Sequence, residues 1–595
     1  MEKGYTLPLS FLSSIVDVTV SANMTLANFL VSLDSYIPSL ADKSFIPLYL
    51  DKSGAKHYLL TKEQFEVFKG RIKDVDRLMI SEIPLSDSSD FQCSIPNEGI
   101  ELHNNVYDVV VMGSGLAALC SSYTILKENP KARVALIEKE KSLGGNSSKA
   151  SSGINFVCSP IQAAAGIEDS VELFIKDTMA SGKDKSDIKL VTALAEGSKD
   201  AWEFFTKECG IDLSKVHQCG GHSTARTHKP KDNSSIGAVL IKALTAKLEE
   251  MKDRISIFKG CEVKALLGNS KLIHGVLIKV KGKIFVRCRA LVVVIAAGGF
   301  STDHTKNSLL KEFAPELKDY PTTNGLFAQG KGLKIARDIG AKLVDMELVQ
   351  VHPTGFIDPS NRDARSKFLA PELLRSIGGI LLNEQGKRFC NELQMRDNVS
   401  QEILTHCKDK KAIMLLGHRS LEGSDLNFDF YLKKGLIKQF DTLEDLCSYY
   451  KLPLENAIEE LNCYNENKSK VKEDKFGKTK FPVSIDVYKE KSYYGCEVTP
   501  SIHYTMGGIK IDVDGNVQSA NEEGIEGLYA AGESTGGLHG RNRLAGNSLM
   551  ECVVFGRRVG FAVKKYLTSK NKLIHSNFSL YLINTSLHSS HESIS

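Results

Sequence analysis

Apolar residues along this chain gather in short unbroken runs. Residues 107–112 read YDVVVM, residues 134–137 read VALI, 290–299 read ALVVVIAAGG and 527–531 read GLYAA. Runs of this length, mostly apolar and closed by Gly or, after residue 137, by Glu138, predict buried strands. Residues 119–127 lie between the first two runs and read as a helix. Strand, helix and strand in that order predict a βαβ unit, and with the later runs a doubly wound α/β fold.

The first hundred residues follow a different rhythm. Residues 15–20 alternate like a strand, and residues 21–33 open with Ser and Asn and then read helical. Residues 45–50 and 56–60 flank the turn Asp51-Lys52-Ser53-Gly54. Residues 61–68 predict a short helix with Thr61 as its cap, and residues 78–83 a closing strand. A β-α-β-β-α-β order in so short a segment resembles a ubiquitin-like β-grasp fold, a module that usually binds proteins. Residues 84–105 are rich in Ser, Asp, Pro and Asn and read as a linker.

Candidate chemistry begins where the first strand ends. Gly113-Ser-Gly115-Leu-Ala117-Ala118 opens the predicted helix, and Glu138 closes the next strand 20 residues after Ala118. This is the dinucleotide fingerprint. Gly113 permits the tight turn, Gly115 lets a pyrophosphate approach the helix N-terminus, and Glu138 is placed to accept ribose hydroxyls. Leu143-Gly-Gly145-Asn146-Ser147 and the small residues up to Gly153 and Asn155 can wrap a ring system with backbone contacts. Two further strands end in Gly, at Gly298 and before Glu533. Several such strand ends in one chain fit an extended FAD better than a single-span nicotinamide cofactor. Residues 536–548 then crowd two arginines, a histidine and four glycines behind a strand. Glycine permits close backbone approach and the arginine fork matches carboxylates, so this segment reads as an anion site beside the flavin.

Six motifs carry a family resemblance. They are GSGLAA, GGNSSKASSGIN, AAGGF, the VHPTG to RFCNE segment, IHYTMGG and AAGESTGGLHGRNRLAGNSL, in that order between about 105 and 567. The chain resembles the soluble FAD-dependent fumarate reductase flavoproteins, within the wider fumarate reductase, succinate dehydrogenase and aspartate oxidase group. The resemblance implies reduction of fumarate to succinate by hydride transfer from flavin N5. It makes Arg396 the proton donor, fed by Glu372 and Arg375, and His352, His503 and Arg543 the ligands of the substrate carboxylates. It puts the flavin contacts at Gly113, Gly115, Ala117, Ala118, Glu138, Gly145, Asn146, Ser147, Gly153, Asn155, Val263, Gly298, Glu533, Asn547, Ser548 and Leu549. An arginine is a weak acid, so it can serve only when a relay supplies its proton and geometry holds it at the right carbon.

Two positions depart from the family pattern. Pro371 stands where many members carry a hydroxyl residue that touches substrate, which keeps alive another α,β-unsaturated acid, of the urocanate or cinnamate type, as the substrate. Lys331, in Gly330-Lys331-Gly332, replaces an acid. Oxidation of succinate or L-aspartate on the same scaffold is a second alternative. A flavin-binding scaffold in which the N-terminal module supplies the function is a third. Residues 143–155 contain no histidine, so FAD is expected to be non-covalent. Arg226 and His228, in GHSTARTH, receive no role.

Composition narrows the remaining options. Hydrophobic content of 42% and charged content of 25% are those of an ordinary soluble globular protein, and a net charge of +4 gives no case for nucleic acid. No apolar run reaches the length of a membrane span. The 13 cysteines are scattered without a CxxC pair, which supports neither zinc nor an iron–sulfur cluster and suits a reducing, cytoplasmic setting. Electrons are therefore expected from outside, from free reduced flavin or a reductase protein. The expected architecture is an N-terminal α+β domain with its linker (1–103), then a Rossmann-like FAD domain in two parts (104–347 and 504–568). An α+β capping domain (348–503) is inserted between those parts, and a polar tail (569–595) ends the chain.

Overall fold

The computed structural model describes residues 107–588, apart from 233, 281–283, 423–427 and 471, together with five strands between residues 4 and 82. Its central sheet has the order Ile255–Lys259, Val134–Glu138, Val109–Met112, Val292–Ile295, Gly524–Ala530, Asn516–Gln518. The first five strands are parallel, and Asn516–Gln518 adds an antiparallel edge. Val109–Met112, Val134–Glu138 and Val292–Ile295 are buried at every position, as continuous apolar runs in a covered parallel sheet should be. The fingerprint helix Leu116–Glu128 leaves Gly115 directly after the first of these strands and packs against Ile236–Glu249 and the C-terminal helix Asn547–His588. This is the doubly wound α/β unit, and the strand ends that carry Gly113, Glu138, Gly298 and Glu533 converge on one edge of it.

A second body is inserted after Val349. Its antiparallel sheet runs Val349–Phe356, Tyr493–Thr505, Ala412–Gly417, Ile380–Leu382, with Lys438–Phe440 also paired to Tyr493–Thr505. The apolar cores separate accordingly. One takes residues from 107–346 and 502–567, and two others take residues from 356–498. The long strand Tyr493–Thr505 leaves the second body and delivers His503 to the junction.

At the other end of the chain, Gly4–Phe11 forms a strand that the sequence pattern did not reveal. It pairs antiparallel with Ser14–Ser21 and parallel with Val75–Glu82, giving the order Ser14–Ser21, Gly4–Phe11, Val75–Glu82, Phe45–Asp51, Lys56–Tyr58. Pro8 has no backbone N–H to donate, which argues against an interior strand there although Tyr5, Leu7, Leu9 and Phe11 alternate. The expected helices at 21–33 and 61–68 and the linker at 84–105 lie outside the described residues apart from Ser21, which ends a strand. The expected polar tail from 569 is instead a continuation of helix Asn547–His588 as far as residue 588. After Gly560 the sequence contains neither Gly nor Pro to end that helix.

A buried ion cluster fixes the loop of the inserted body that leads into the site. Arg388 donates to Glu392 at 2.9 and 3.0 Å and to Asp474 at 3.0 Å, and Lys478 donates to Glu392 at 2.7 Å. Burial by itself would raise the Glu392 carboxyl, but Lys478 and Arg388 outweigh it and hold its pKa at about 2. Removing one member of a buried cluster leaves an uncompensated charge. The Lys478→Met variant is therefore expected to lose about 3 kcal/mol, read as a lower urea midpoint. Because the carboxyl is depressed in the native state, the cluster's contribution is complete above pH 4.5 and fades as pH falls toward about 2. The midpoint gap between variant and parent should close over the same window.

Candidate active site

A cavity of about 780 Å³ runs from the fingerprint turn to the junction of the two bodies. At one end, Gly113 has φ of +102°, and a Cβ there would lie 2.4 Å from the carbonyl oxygen of Ala296. The turn can be this tight only with glycine. Gly115 caps the helix without a side-chain bond, while Ser147 Oγ accepts the Leu116 N–H at 3.1 Å. Asn146 Oδ1 accepts the Gly325 N–H at 2.9 Å, which ties the wrapping loop to the far wall. Glu138 lines the cavity while accepting from Ser114 Oγ at 2.5 Å and the Glu140 N–H at 2.8 Å.

Most of the expected flavin residues share this cavity. Gly113, Gly115, Ala117, Glu138, Gly145, Asn146, Ser147, Gly153, Val263, Gly298, Glu533, Ser548 and Leu549 all line it. Ala118, Asn155 and Asn547 do not. Ala118 is packed in the core, and Asn155 donates to Asn547 Oδ1 at 2.6 Å and to the Ala545 carbonyl at 2.7 Å behind the wall. Their types suit a ligand in the sequence, but their side chains support the backbone that lines the cavity. A deep cleft with a glycine turn at a helix N-terminus and an acid at the second strand end fits FAD. Lys331 lines the same wall with its ammonium engaged by Glu262, which also pairs with Lys264 at 2.6 Å. The base that replaces an acid here is thus matched by a carboxylate.

At the junction the expected acid, relay and clamp residues come together. Arg396, first residue of helix Arg396–His406, donates through Nε to Glu372 Oε2 at 2.9 Å. Arg375 lies one helical turn beyond Glu372, with its NH2 4.0 Å from the same oxygen. Its NH1 donates to the carbonyl of Glu392, so the ion cluster described above also anchors this arginine. Glu372 Oε1 accepts the Gly220 N–H at 2.9 Å. Burial opposes the Glu372 charge, but Arg396 and Arg375 prevail and hold its pKa at about 2.

Arg543 comes from the other body. It donates to Gln350 Oε1 at 3.3 Å and to the Leu544 carbonyl at 2.8 Å, and its guanidinium lies 4.7 Å from the Tyr504 ring centre. Burial and the nearby Arg396 charge lower its pKa to about 10. Among the described residues no carboxylate forms an ion pair with it. Of three buried guanidinium groups, Arg375 and Arg396 therefore share one ion-paired carboxylate, Glu372, while Arg543 has none among the described residues. Arg543 Nε and Arg375 Nε and NH2 have no hydrogen-bond partner. Of the two, only Arg543 lines the cavity, and a buried cation with an unmet donor facing a cleft favours an anion.

His352 and His503 complete the cluster, with ring centres 5.3 Å apart. Burial first, and then the arginine charges, push both well below the usual histidine range, so both are neutral. His352 Nδ1 accepts the Thr354 N–H at 3.2 Å, which leaves its proton on Nε2. His503 Nδ1 meets Thr323 Oγ1 at 2.6 Å. Of the pair, only His503 lines the cavity, and His352 sits directly behind it.

Sequence reasoning missed Gln350, whose single oxygen accepts from both Arg396 and Arg543. A signal existed, because Gln350 and His352 are two apart on one strand and share a face. Tyr504 and Glu551 were missed as well. Tyr504 donates to Glu551, which also receives His539 Nε2 at 3.0 Å. Nothing local in the sequence marks Glu551, which lies within a helix.

Glu533 is the site's unusual acid. Burial pushes its carboxyl up to about 7, with the neighbouring Glu551 charge adding to the rise and the bonds from Thr505 N and Oγ1 opposing it. A raised native pKa means that folding favours the protonated form. That contribution is full below 4.5 and is lost as pH rises through about 7. The flavin-free Glu533→Gln variant should therefore gain thermal midpoint over its parent as pH rises from about 5 to about 8. A gap independent of pH would show that Glu533 does not titrate there.

The family model described as "FAD binding domain" matches residues 108–549. Fumarate reductase 1 of Saccharomyces cerevisiae is 41% identical over 461 residues, covering 76% of this chain and 97% of the yeast protein. The fumarate reductase of Schizosaccharomyces pombe is 36% identical over 490 residues, covering 80% of this chain and 93% of that one. Among solved structures, the open conformation of a flavocytochrome c3 fumarate reductase matches with a TM-score of 0.66 at 30% identity. It covers 82% of this chain and 84% of that one. With an FAD cleft, a cluster of arginines at its inner end and similarity along nearly the whole length of these proteins, the chain belongs to the soluble FAD-dependent fumarate reductase flavoprotein family.

Proposed function

We propose that this protein reduces fumarate to succinate with FAD held non-covalently. The observation that carries this reading is the charge balance of the inner site. Arg375 and Arg396 share the single ion-paired carboxylate of Glu372, and Arg543 lines the cavity with no carboxylate ion pair among the described residues, so the inner site favours an anionic substrate. Arg543 binds one carboxylate, and the other end meets His503, with His352 directly behind it as the second histidine of the clamp. FAD, when bound along Gly113, Ser147, Gly298 and Glu533, supplies the hydride.

The proton comes from Arg396. Its Nε is bonded to Glu372, its NH1 to Gln350, and Arg375 NH2 stands 4.0 Å from the same Glu372 oxygen, an order of groups that supports a relay from the second arginine to the first. Glu372 stays ionised between two cations, so when Arg396 gives its proton to the substrate carbon, Glu372 can take one from Arg375 and pass it to Arg396. Burial lowers the pKa of Arg375, which makes its proton easier to release. Closure of the inserted body over the junction would keep water from the reacting carbons.

The wider organisation follows the same reading. The FAD-binding unit is 104–347 with 504–568, and the capping unit is 348–503, a division supported by the separation of their cores. The strand order of the N-terminal sheet supports a β-grasp module, for which a protein partner is proposed. Electrons come from an external donor and the setting is cytoplasmic. Among the described residues no helix is long and apolar enough to cross a membrane.

Anaerobic mixing of the reduced enzyme with fumarate is expected to reoxidise the flavin within a turnover, whereas urocanate should leave it reduced. The reverse pattern would overturn the choice of substrate. Acid precipitation should release the flavin into the supernatant. Arg396→Gln should keep its FAD and lose at least about 100-fold in kcat, the usual worth of a placed general acid.

A further inference from the structure

The loop from His217 to Arg226 touches both sides of the inner site, and it does so with three consecutive residues. The Gly220 N–H donates to Glu372 Oε1 at 2.9 Å. A Cβ on Gly220 would lie 2.5 Å from that same oxygen, so the approach needs glycine. Gly221 has φ of +81°, and a Cβ there would meet Leu544 Cδ2 at 2.7 Å. His222 Nε2 lies 3.0 Å from the carbonyl of Ala545. Glu372 belongs to the inserted body, and Leu544 and Ala545 directly follow Arg543.

The base of the loop is rigid. Arg226 is fully buried, with Nε and NH2 donating to Asp169 at 3.1 and 2.7 Å and NH1 donating to Asp177 at 2.7 Å. The same NH1 lies 3.3 Å from His222 Nδ1. A guanidinium only donates, so Nδ1 must accept, and the ring's proton must sit on Nε2. Nε2 then donates to Ala545, whose carbonyl only accepts. The tautomer follows from the partners at both ends of the ring. Asn155 Nδ2 adds a second donor to the Ala545 carbonyl at 2.7 Å. Asp177 also accepts from Ser223 N and Oγ, at 2.9 and 2.8 Å, and so ties the loop at a further point.

We infer that Gly220, Gly221 and His222 form a brace that sets the spacing between Glu372 and Arg543, with Arg226 as its anchor. They are positioning residues, and this inference rests on the proposed fumarate reduction for what the spacing serves. The two ends of the brace serve different steps. His222 fixes the backbone beside the carboxylate-binding Arg543, so it governs substrate affinity. Gly220 fixes the carboxylate that relays the proton, so it governs turnover.

The test uses the full-length chain with its FAD. His222→Leu should raise KM for fumarate at least tenfold with kcat within threefold, and His222→Gln, which restores a donor, should return KM to within threefold of the parent. Gly220→Ala should lower kcat at least tenfold with KM within threefold. Variants that lose kcat and KM in the same proportion, or only as FAD content falls, would overturn the brace, as would a His222→Gln variant that matches His222→Leu. Amide exchange supplies a readout free of the reaction. His222→Leu should speed exchange across 543–547 at least tenfold and leave 113–118 unchanged. If the parent does not reduce fumarate, the substrate assignment fails while exchange still decides the brace; unchanged exchange at 543–547 overturns the brace whatever the substrate.

Discussion

Burying three arginines around one glutamate is the constraint on which the rest of this structure depends. A guanidinium removed from water is costly unless its donors are met. Glu372, Gln350 and a few backbone carbonyls meet only some of them here. The unmet donor of Arg543 belongs to a residue that lines the cleft, which favours an anion there. The like charges would otherwise separate, so the surrounding protein must hold them in place. That requirement explains why the scaffold around the site is polar, buried and cross-linked.

The holding is shared between bodies. Arg375 is anchored on the Glu392 carbonyl, and the Glu392 side chain is pinned by Arg388 and Lys478. Arg543 lies over Tyr504, whose hydroxyl is fixed by Glu551 and, through it, by His539. The Gly220–His222 segment touches both sides. Arg375 and Arg543 thus each have a buried support of their own. A site that joins two bodies can open for substrate and still regain its geometry, because each half arrives already ordered.

Much of this was legible in the chain. The fingerprint turn, the strand ends and the clustered Arg and His were readable because each rests on a local rule: glycine where a turn is tight, acids after strands, forks for carboxylates. Lys331 shows the limit of such reading. Its charge conflicts with the family pattern, and only the fold reveals that Glu262, 69 residues away in the chain, answers it. Asn155 and Asn547 show a second limit. Both sit inside cofactor motifs, yet they bond each other across 392 residues and support the wall instead of lining it.

While the roles expected of Glu372, Arg375 and Arg396 came from the family resemblance, the sequence by itself determined the class of the fold, the flavin cleft and the anion-binding character of residues 536–548. These follow from short-range pattern, in which neighbours in the chain are neighbours in space. Only the tertiary structure decided which charges face one another. It brought Gln350 between Arg396 and Arg543, raised the Glu533 carboxyl by burial, assigned the His222 proton and turned a glycine pair into a brace. Burial and hydrogen bonding depend on groups hundreds of residues apart, and no local pattern encodes the distance between them.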